Sequence, residues 1–371
     1  MNKKMAIILT LVLIASLLML MIVECIFDYT ASSPKIFVGV EFLYNGDVNT
    51  YEEIIKKVKG YTNMVVVGLS KKMEVTTNET LLNQVCDYIY KEGFYFIVQL
   101  TAIIKFSYNI TDWVVTAKNR YGDRLLGVYY FDEPGGRQLD DESLRLVPKA
   151  DNWTEASEKY VHLLYVHIEP YLRTNVKLLT ADYGLYWFNY LAKYDTLLVE
   201  FGWNHSRQLQ ISLCRGAANI QGKEWGVIIT WTYTNPPYLE PANNLYSDLV
   251  LAYHSGAKYA IIFEYEIMQE EHFKALERFW SYVNTFPERH GIIKSKVAYV
   301  LPKDYGFGFR KQNDTIWGLW TEKSDNKIWN DVNRLVYKYD GSLDIVYEDP
   351  DFIHLIKEKY SIRFFWNQTV P

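Results

Sequence analysis

The sequence predicts a (β/α)8 TIM barrel with a small C-terminal α/β appendage, preceded by an N-terminal membrane-anchor helix. Three observations carry this expectation. Between residues 36 and 284, eight short, apolar, β-rich runs alternate with helical patterns. Eight strand–helix units over about 250 residues match the count and length of such a barrel. The runs are apolar almost throughout, as strands of a parallel sheet buried on both faces are. Ahead of them, residues 5–23 form an uncharged apolar run of 19 residues, long enough to span a bilayer. A doubly wound open sheet is the alternative architecture. No glycine-rich phosphate loop follows the first strand, where Val38-Gly39-Val40-Glu41 departs from the dinucleotide fingerprint.

Taken in order, the expected strands are 36–42 (IFVGVEF), 64–69 (MVVVGL), 94–100 (FYFIVQL), 125–131 (LLGVYYF), 176–180 (VKLLT), 196–201 (TLLVEF), 225–231 (WGVIITW) and 259–263 (YAIIF). Helical patterns separate them at 50–59, 81–91, 113–121, 154–172, 186–192, 207–220 and 245–255, and one more follows at 272–284. Gly256 ends the seventh of these helices, in the position a left-handed cap requires. From residue 295 the pattern changes to a strand, an aromatic and glycine-rich loop at 302–320, a helix and two short strands. The expected organisation is residues 1–30 as anchor and linker, 31–294 as barrel and 295–371 as appendage.

Lys3 and Lys4 precede the apolar run, and Glu24-Cys25 follows it without a small-x-small cleavage site. An uncleaved anchor with the body outside the membrane is therefore expected; a cleaved signal is the alternative. Six Asn-x-Ser/Thr sequons, at Asn78, Asn109, Asn152, Asn204, Asn313 and Asn367, point to a glycosylated surface protein. The net charge of −5 leaves no electrostatic footprint for nucleic acid. Cys86 and Cys214 fall in different helices, so no disulfide is expected. No His/Cys cluster has zinc spacing, and neither cofactor nor metal is called for.

In a barrel the carboxyl ends of the strands face the site. Those positions hold Glu41, Gln99 and Thr101, Asp132 and Glu133, Asp182, Glu200, Trp231 and Tyr233, and Glu264 with Glu266. Carboxylates and aromatics dominate, and Lys and Arg are absent, which argues against phosphorylated substrates. Paired carboxylates beside neutral aromatics suit cleavage of a glycosidic bond: one carboxyl must be protonated to assist the leaving oxygen, and the other ionised. Aromatic side chains, 16% of the chain, suit stacking on sugar rings. The expected sugar-binding set is Glu41, Asp132, Asp182, Trp203, Trp231, Tyr233 and Tyr238.

Phe131-Asp132-Glu133-Pro134 resembles the Asn-Glu-Pro signature that ends the fourth strand in the clan of retaining barrel glycosidases. There the Glu is the acid/base, which the resemblance carries over to Glu133. Val199-Glu200-Phe201-Gly202-Trp203 is similar to the Glu-Phe-Gly motif around that clan's nucleophile. Two departures stand out. Asp132 replaces the Asn that contacts the sugar 2-hydroxyl, and Glu200 lies on the sixth strand where the clan uses the seventh. The reading is thus a membrane-anchored, extracytoplasmic glycoside hydrolase or transglycosylase acting on a poly- or oligosaccharide. Glu133 is the expected proton donor and Glu200 its partner, with Glu264 in reserve across the ring. The alternative is a non-catalytic glycan-binding or cell-surface coat protein on the same scaffold.

Overall fold

A computed structural model describes residues 34–43, 48–68, 77–100, 106–140 and 142–371. The expected anchor falls outside the described residues. Among the described residues no helix is long and apolar enough to cross a membrane. Residues 36–371 form one compact unit.

Eight parallel strands close into a barrel in sequence order: β1 (Phe37–Leu43), β2 (Met64–Gly68), β3 (Tyr95–Gln99), β4 (Leu125–Tyr129), β5 (Leu178–Asp182), β6 (Thr196–Phe201), β7 (Glu224–Ile229) and β8 (Tyr259–Ile262). β8 pairs back onto β1 with Phe37 opposite Tyr259, which leaves no open edge and excludes the doubly wound sheet. Side chains alternate between the two faces of each strand. One set, including Phe37, Val66, Ile97, Tyr129, Leu179, Leu198, Ile228 and Ile261, fills the lumen. The other set, including Val38, Val65, Phe96, Val128, Leu197 and Val227, packs against the surrounding helices. Both faces are apolar, which is why these strands read as unbroken hydrophobic runs.

The expected fourth strand stops two residues early. β4 ends at Tyr129, and Phe131 and Glu133 both take left-handed backbone conformations, with φ of 60° and 49°. Gly135 and Gly136, read as loop residues, lie in a short helix, Pro134–Asp140.

Three of the sequon asparagines have structural work. Asn78, Asn109 and Asn152 are helix N-caps, each accepting from a backbone N–H two or three residues on. A cap of this kind contributes about 1 kcal/mol. The Ser/Thr two positions later falls in the first turn, so helix starts account for half of the sequons without glycan.

The C-terminal residues add a three-stranded parallel sheet, ordered β10 (Leu343–Tyr347), β9 (Val297–Leu301), β11 (Ile362–Phe365). It shares the hydrophobic core of the barrel helices. Helix Arg207–Gln221 runs so close to β10 that a Cβ on Gly216 would lie 2.5 Å from the Ile345 carbonyl oxygen. Next to that contact Arg215 and Asp344, both buried, form an ion pair at 2.8 Å. In the 302–320 loop, Tyr305, Phe307, Phe309 and Trp317 are buried, with Trp317 against Tyr160 and Phe188. These aromatics are packing residues.

Candidate active site

The alternation that fills the lumen also builds the site. On β1 the inward positions are Phe37, Gly39 and Glu41; on β6 they are Leu198 and Glu200; on β3, Ile97 and Gln99. The top layer of the barrel interior is therefore polar. A narrow cavity of about 90 Å³ lies there, lined by Glu41, Gln99, Tyr129, Asp132, Glu133, Ala181, Glu200, Ile228, Thr230 and Phe263. Gly68 makes room for one wall: a Cβ there would sit 2.9 Å from Glu41 Oε1. Outside it lies a groove of about 750 Å³ lined by Glu133, Asp140, Tyr183, Trp203, Asn204, His205, Arg310 and Lys311. Glu133 lines both spaces.

The Glu133 and Glu200 carboxyls line the narrow cavity together and lie close enough for Glu133 to raise Glu200. Burial raises both carboxyls first; the charge of Asp132 then raises Glu133, while Glu133 and Asp132 raise Glu200. Glu200, only 4% exposed, is held well above the usual carboxylate range, by burial first and then by Glu133 and Asp132. Asp132 accepts a hydrogen bond from the Tyr129 hydroxyl and faces Arg137 at 3.7 Å. These contacts offset part of the burial that raises it.

Glu41 is 3% exposed and its carboxyl is pushed up to about 8, by burial first and then by Asp132 and Glu264. Such a group binds a proton in the folded state that the unfolded chain releases near 4.5. Its contribution to stability is complete below that value and is lost as pH rises through about 8. Thermal unfolding should therefore show Glu41→Gln close to wild type at pH 5 and several degrees more stable at pH 9. Equal melting temperatures at pH 9 would contradict the burial argument.

Asp182, expected among the sugar-binding residues, has another task. On β5 the lumen-facing positions are Leu179 and Ala181, so Asp182 points the other way. Its carboxylate accepts from the backbone N–H of Gly135 at 2.7 Å, Gly136 at 2.8 Å and Tyr183 at 2.8 Å, and from Asn189 Nδ2 at 2.7 Å. Asn189 in turn accepts from the Tyr160 hydroxyl at 2.7 Å. This buried chain pins the turn that follows Glu133. The glycines are required there: a Cβ on Gly136 would lie 2.1 Å from the Tyr183 ring. Left-handed non-glycine residues cost on the order of 1–3 kcal/mol each, and the clamp holds Phe131 and Glu133 in that state.

Glu264 is buried beside Glu41, but the β8 side chain lining the cavity is Phe263. The contact of Glu133 is with Glu200. The aromatic wall expected after β7 is divided. Trp231 and Tyr238 pack against each other with tilted rings, centroids 5.1 Å apart, and the loop closes on itself as Thr232 and Tyr233 N–H donate to the Tyr238 carbonyl. Tyr233 lines a separate groove with Tyr246 and Arg278. Trp203 alone of the four lines the groove beside Glu133.

The sequence reading finds no cation at the strand ends, and that is correct of the strands. Arg137, Arg310 and Lys311 nonetheless reach the site from other segments. Arg310 is held by Asp140 and Asp314. Its loop reads as aromatic packing, and no local pattern marks the polar tip that reaches the groove. Among the described residues no group of His, Cys, Asp and Glu side chains is placed to hold a metal ion.

No family model and no curated protein matches this chain by sequence. Solved structures do match. An alpha-L-fucosidase isoenzyme 2 from Paenibacillus thiaminolyticus superposes with a TM-score of 0.53 at 11% identity, over 89% of this chain and 59% of that one. The chain thus spans under two thirds of that fucosidase. An exo-beta-1,4-mannosidase from Opitutaceae bacterium strain TAV5 gives a TM-score of 0.50 at 12% identity, over 84% of this chain and 69% of that one. The chain has the barrel fold of these glycoside hydrolases.

Proposed function

We propose that the protein is a retaining glycoside hydrolase or transglycosylase, with Glu133 as acid/base and Glu200 as nucleophile. The observation that carries this is the pair of carboxyls, Glu133 and Glu200, that line one narrow cavity of about 90 Å³ at the end of the lumen. Inverting pairs stand about 6.5–9.5 Å apart to admit a water, whereas retaining pairs are closer. Two carboxyls on the walls of so small a cavity favour the close arrangement. A barrel that only binds glycan has no use for such a pair.

Position supports the division of roles. Glu133 faces the outer groove, where a leaving saccharide would lie, and Glu200 faces the deep cavity. In the first step Glu200 attacks the anomeric carbon, the glycosidic bond breaks, and the departing oxygen takes the proton of Glu133. In the second, Glu133 takes a proton from water, whose oxygen displaces Glu200. Asp132, Glu41 and Trp203 would contact the sugar, and Asp182 would position the Glu133 turn. The proposal includes anchoring by residues 5–23 with the body outside the membrane, supported by the apolar run and its flanking lysines.

The test is turnover of a panel of aryl glycosides and polysaccharides, with the first-formed anomer followed by NMR. The expected product keeps the configuration of the substrate. An inverted first product would refute the Glu133–Glu200 pair, and glycan binding without turnover would favour the coat-protein alternative. In the same cells the protein should resist alkaline extraction and be open to external protease; recovery in the soluble fraction would refute the anchor.

A further inference from the structure

Trp203 is a large aromatic side chain left 42% exposed on the wall of the outer groove, beside Glu133. It follows Glu200 by three residues. Its backbone and that of Asn204 are left-handed, with φ of 51° and 61°. Two such residues in a row are costly without glycine, and they persist only where the surroundings hold them. Arg207, the first residue of helix Arg207–Gln221, does the holding. Its Nη1 donates to the Gly202 carbonyl at 3.0 Å and to the His205 carbonyl at 3.1 Å, so one guanidinium grips the chain on both sides of Trp203. Its Nε donates to Asp248 at 2.7 Å and its Nη2 to Glu240 at 3.5 Å. Asp248 lies on helix Ala242–Ser255 and Glu240 just ahead of it. His272, on helix Glu270–Thr285, donates from Nε2 to the Glu240 carbonyl at 3.0 Å. The guanidinium also covers the Phe201 ring, 5.2 Å from its centroid. Arg207 thus ties the turn after β6 to the two helices behind it. The front of the turn is fixed as well: the Trp203 N–H donates to the Trp231 carbonyl at 3.0 Å, and a Cβ on Gly202 would lie 2.7 Å from that oxygen.

From this clasp on Gly202 and His205, we propose that Arg207 is a positioning residue for the glycosidase reaction: it sets Trp203 as the platform on which the leaving saccharide stacks. This rests on the glycosidase reading and adds how the outer groove binds. The chemistry recognised is the apolar C–H face of a pyranose ring, which packs on the indole while its hydroxyls reach polar neighbours. Asn204, His205 and Lys311 line the same groove. A platform beside Glu133 aligns the leaving oxygen with its proton donor, and such alignment is worth rate because the reacting groups must meet in one geometry. Lysine cannot take the place of Arg207. A single ammonium on a flexible stem does not reproduce a planar fork that reaches two carbonyls and two carboxylates at once.

The experiment uses the full-length protein in detergent and compares two leaving groups. The substrates are the α- and β-fluorides of glucose, galactose and mannose, each beside a disaccharide with the same sugar at its non-reducing end and glucose as leaving group. Fluoride departs without filling the groove. Arg207→Lys keeps a positive charge for Asp248 and Glu240, so its melting temperature should stay near wild type. Arg207→Lys and Trp203→Ala should each lose about tenfold more kcat/KM on the disaccharide than on the fluoride, the scale of one aromatic contact. The double variant should lose no more than Trp203→Ala alone, because Arg207 acts through that ring. In the free protein, amide exchange from Trp203 to His205 should be faster in Arg207→Lys. Additive losses, equal losses on fluoride and disaccharide, or unchanged exchange at the turn overturn the positioning role and leave the glycosidase reading standing. Turnover of none of these substrates overturns the glycosidase reading. Calorimetry with the same disaccharides then decides the platform: weaker binding by both single variants supports it, and binding that neither variant changes overturns it too.

Discussion

Glu133→Gln is expected to lower kcat on a natural glycan by about 10²- to 10⁴-fold, the range for loss of a general acid–base group. The reason is positional: among the described residues, Glu133 is the one carboxyl lining both the deep cavity and the outer groove. Leaving-group dependence should expose the role. A dinitrophenolate departs without protonation, so with that substrate the first step should survive while return of water stalls, giving a burst and then slow turnover. Azide added to Glu133→Ala should accelerate the second step and yield a glycosyl azide of retained configuration. Azide added to Glu200→Ala should instead replace the nucleophile and yield the inverted azide. Unchanged kcat in Glu133→Gln would remove it from the chemistry. Unchanged kcat in Glu200→Gln with loss in Glu264→Gln would move the partner to β8. Melting temperatures near wild type would show that these losses are chemical.

Asp344→Ala is expected to destabilise the chain by about 3–5 kcal/mol, because it strands a buried guanidinium. Arg215 donates to Asp344 at 2.8 Å and to the carbonyls of Gly341 at 2.6 Å and Leu343 at 3.0 Å. The second Asp344 oxygen accepts from Asn219 at 3.0 Å and the Tyr360 hydroxyl at 2.7 Å. This network fastens β10 to the barrel helix that follows β6, so its loss should loosen the sheet carrying the C-terminal segment. Replacing both charges, Arg215→Met with Asp344→Leu, should recover much of the loss, because an apolar pair of similar volume has no charge to leave unpaired. Urea unfolding of the two single variants and the double variant measures this. Additive losses would mean that the two residues act independently.

The barrel was legible because burial on two faces leaves a local signature. Each strand is a short apolar run bounded by turn residues, and eight of them spaced by helices admit few architectures. Glu133 was legible for a related reason: two carboxylates at the end of an apolar strand and ahead of Pro-Gly-Gly are a local anomaly. Asp182 shows the limit of that reasoning. It ends a strand just as Glu200 does, yet one-residue parity turns it away from the lumen and onto the amides of Gly135 and Gly136. Parity is readable only when the register of the whole ring is known, since the adjacent residues of β5 are apolar on both faces.

The aromatics after β7 misled for a different reason. The sequence shows that Trp231 and Tyr238 share one loop, but not that their rings pack against each other. Arg310 and Lys311 lie more than 170 residues from Glu133, and no pattern in their own loop announces the groove they enter. The sequence by itself determined the strands, the helices, the barrel and the two carboxylates whose pairing the proposed chemistry requires, because periodicity and burial act over a few residues. Tertiary structure alone decided that Glu133 and Glu200 line one cavity, that burial and Asp132 raise both carboxyls, and that Glu41 is buried beside them. Those outcomes depend on desolvation and through-space charge, which act between residues that closure of the ring, not the order of the chain, makes neighbours.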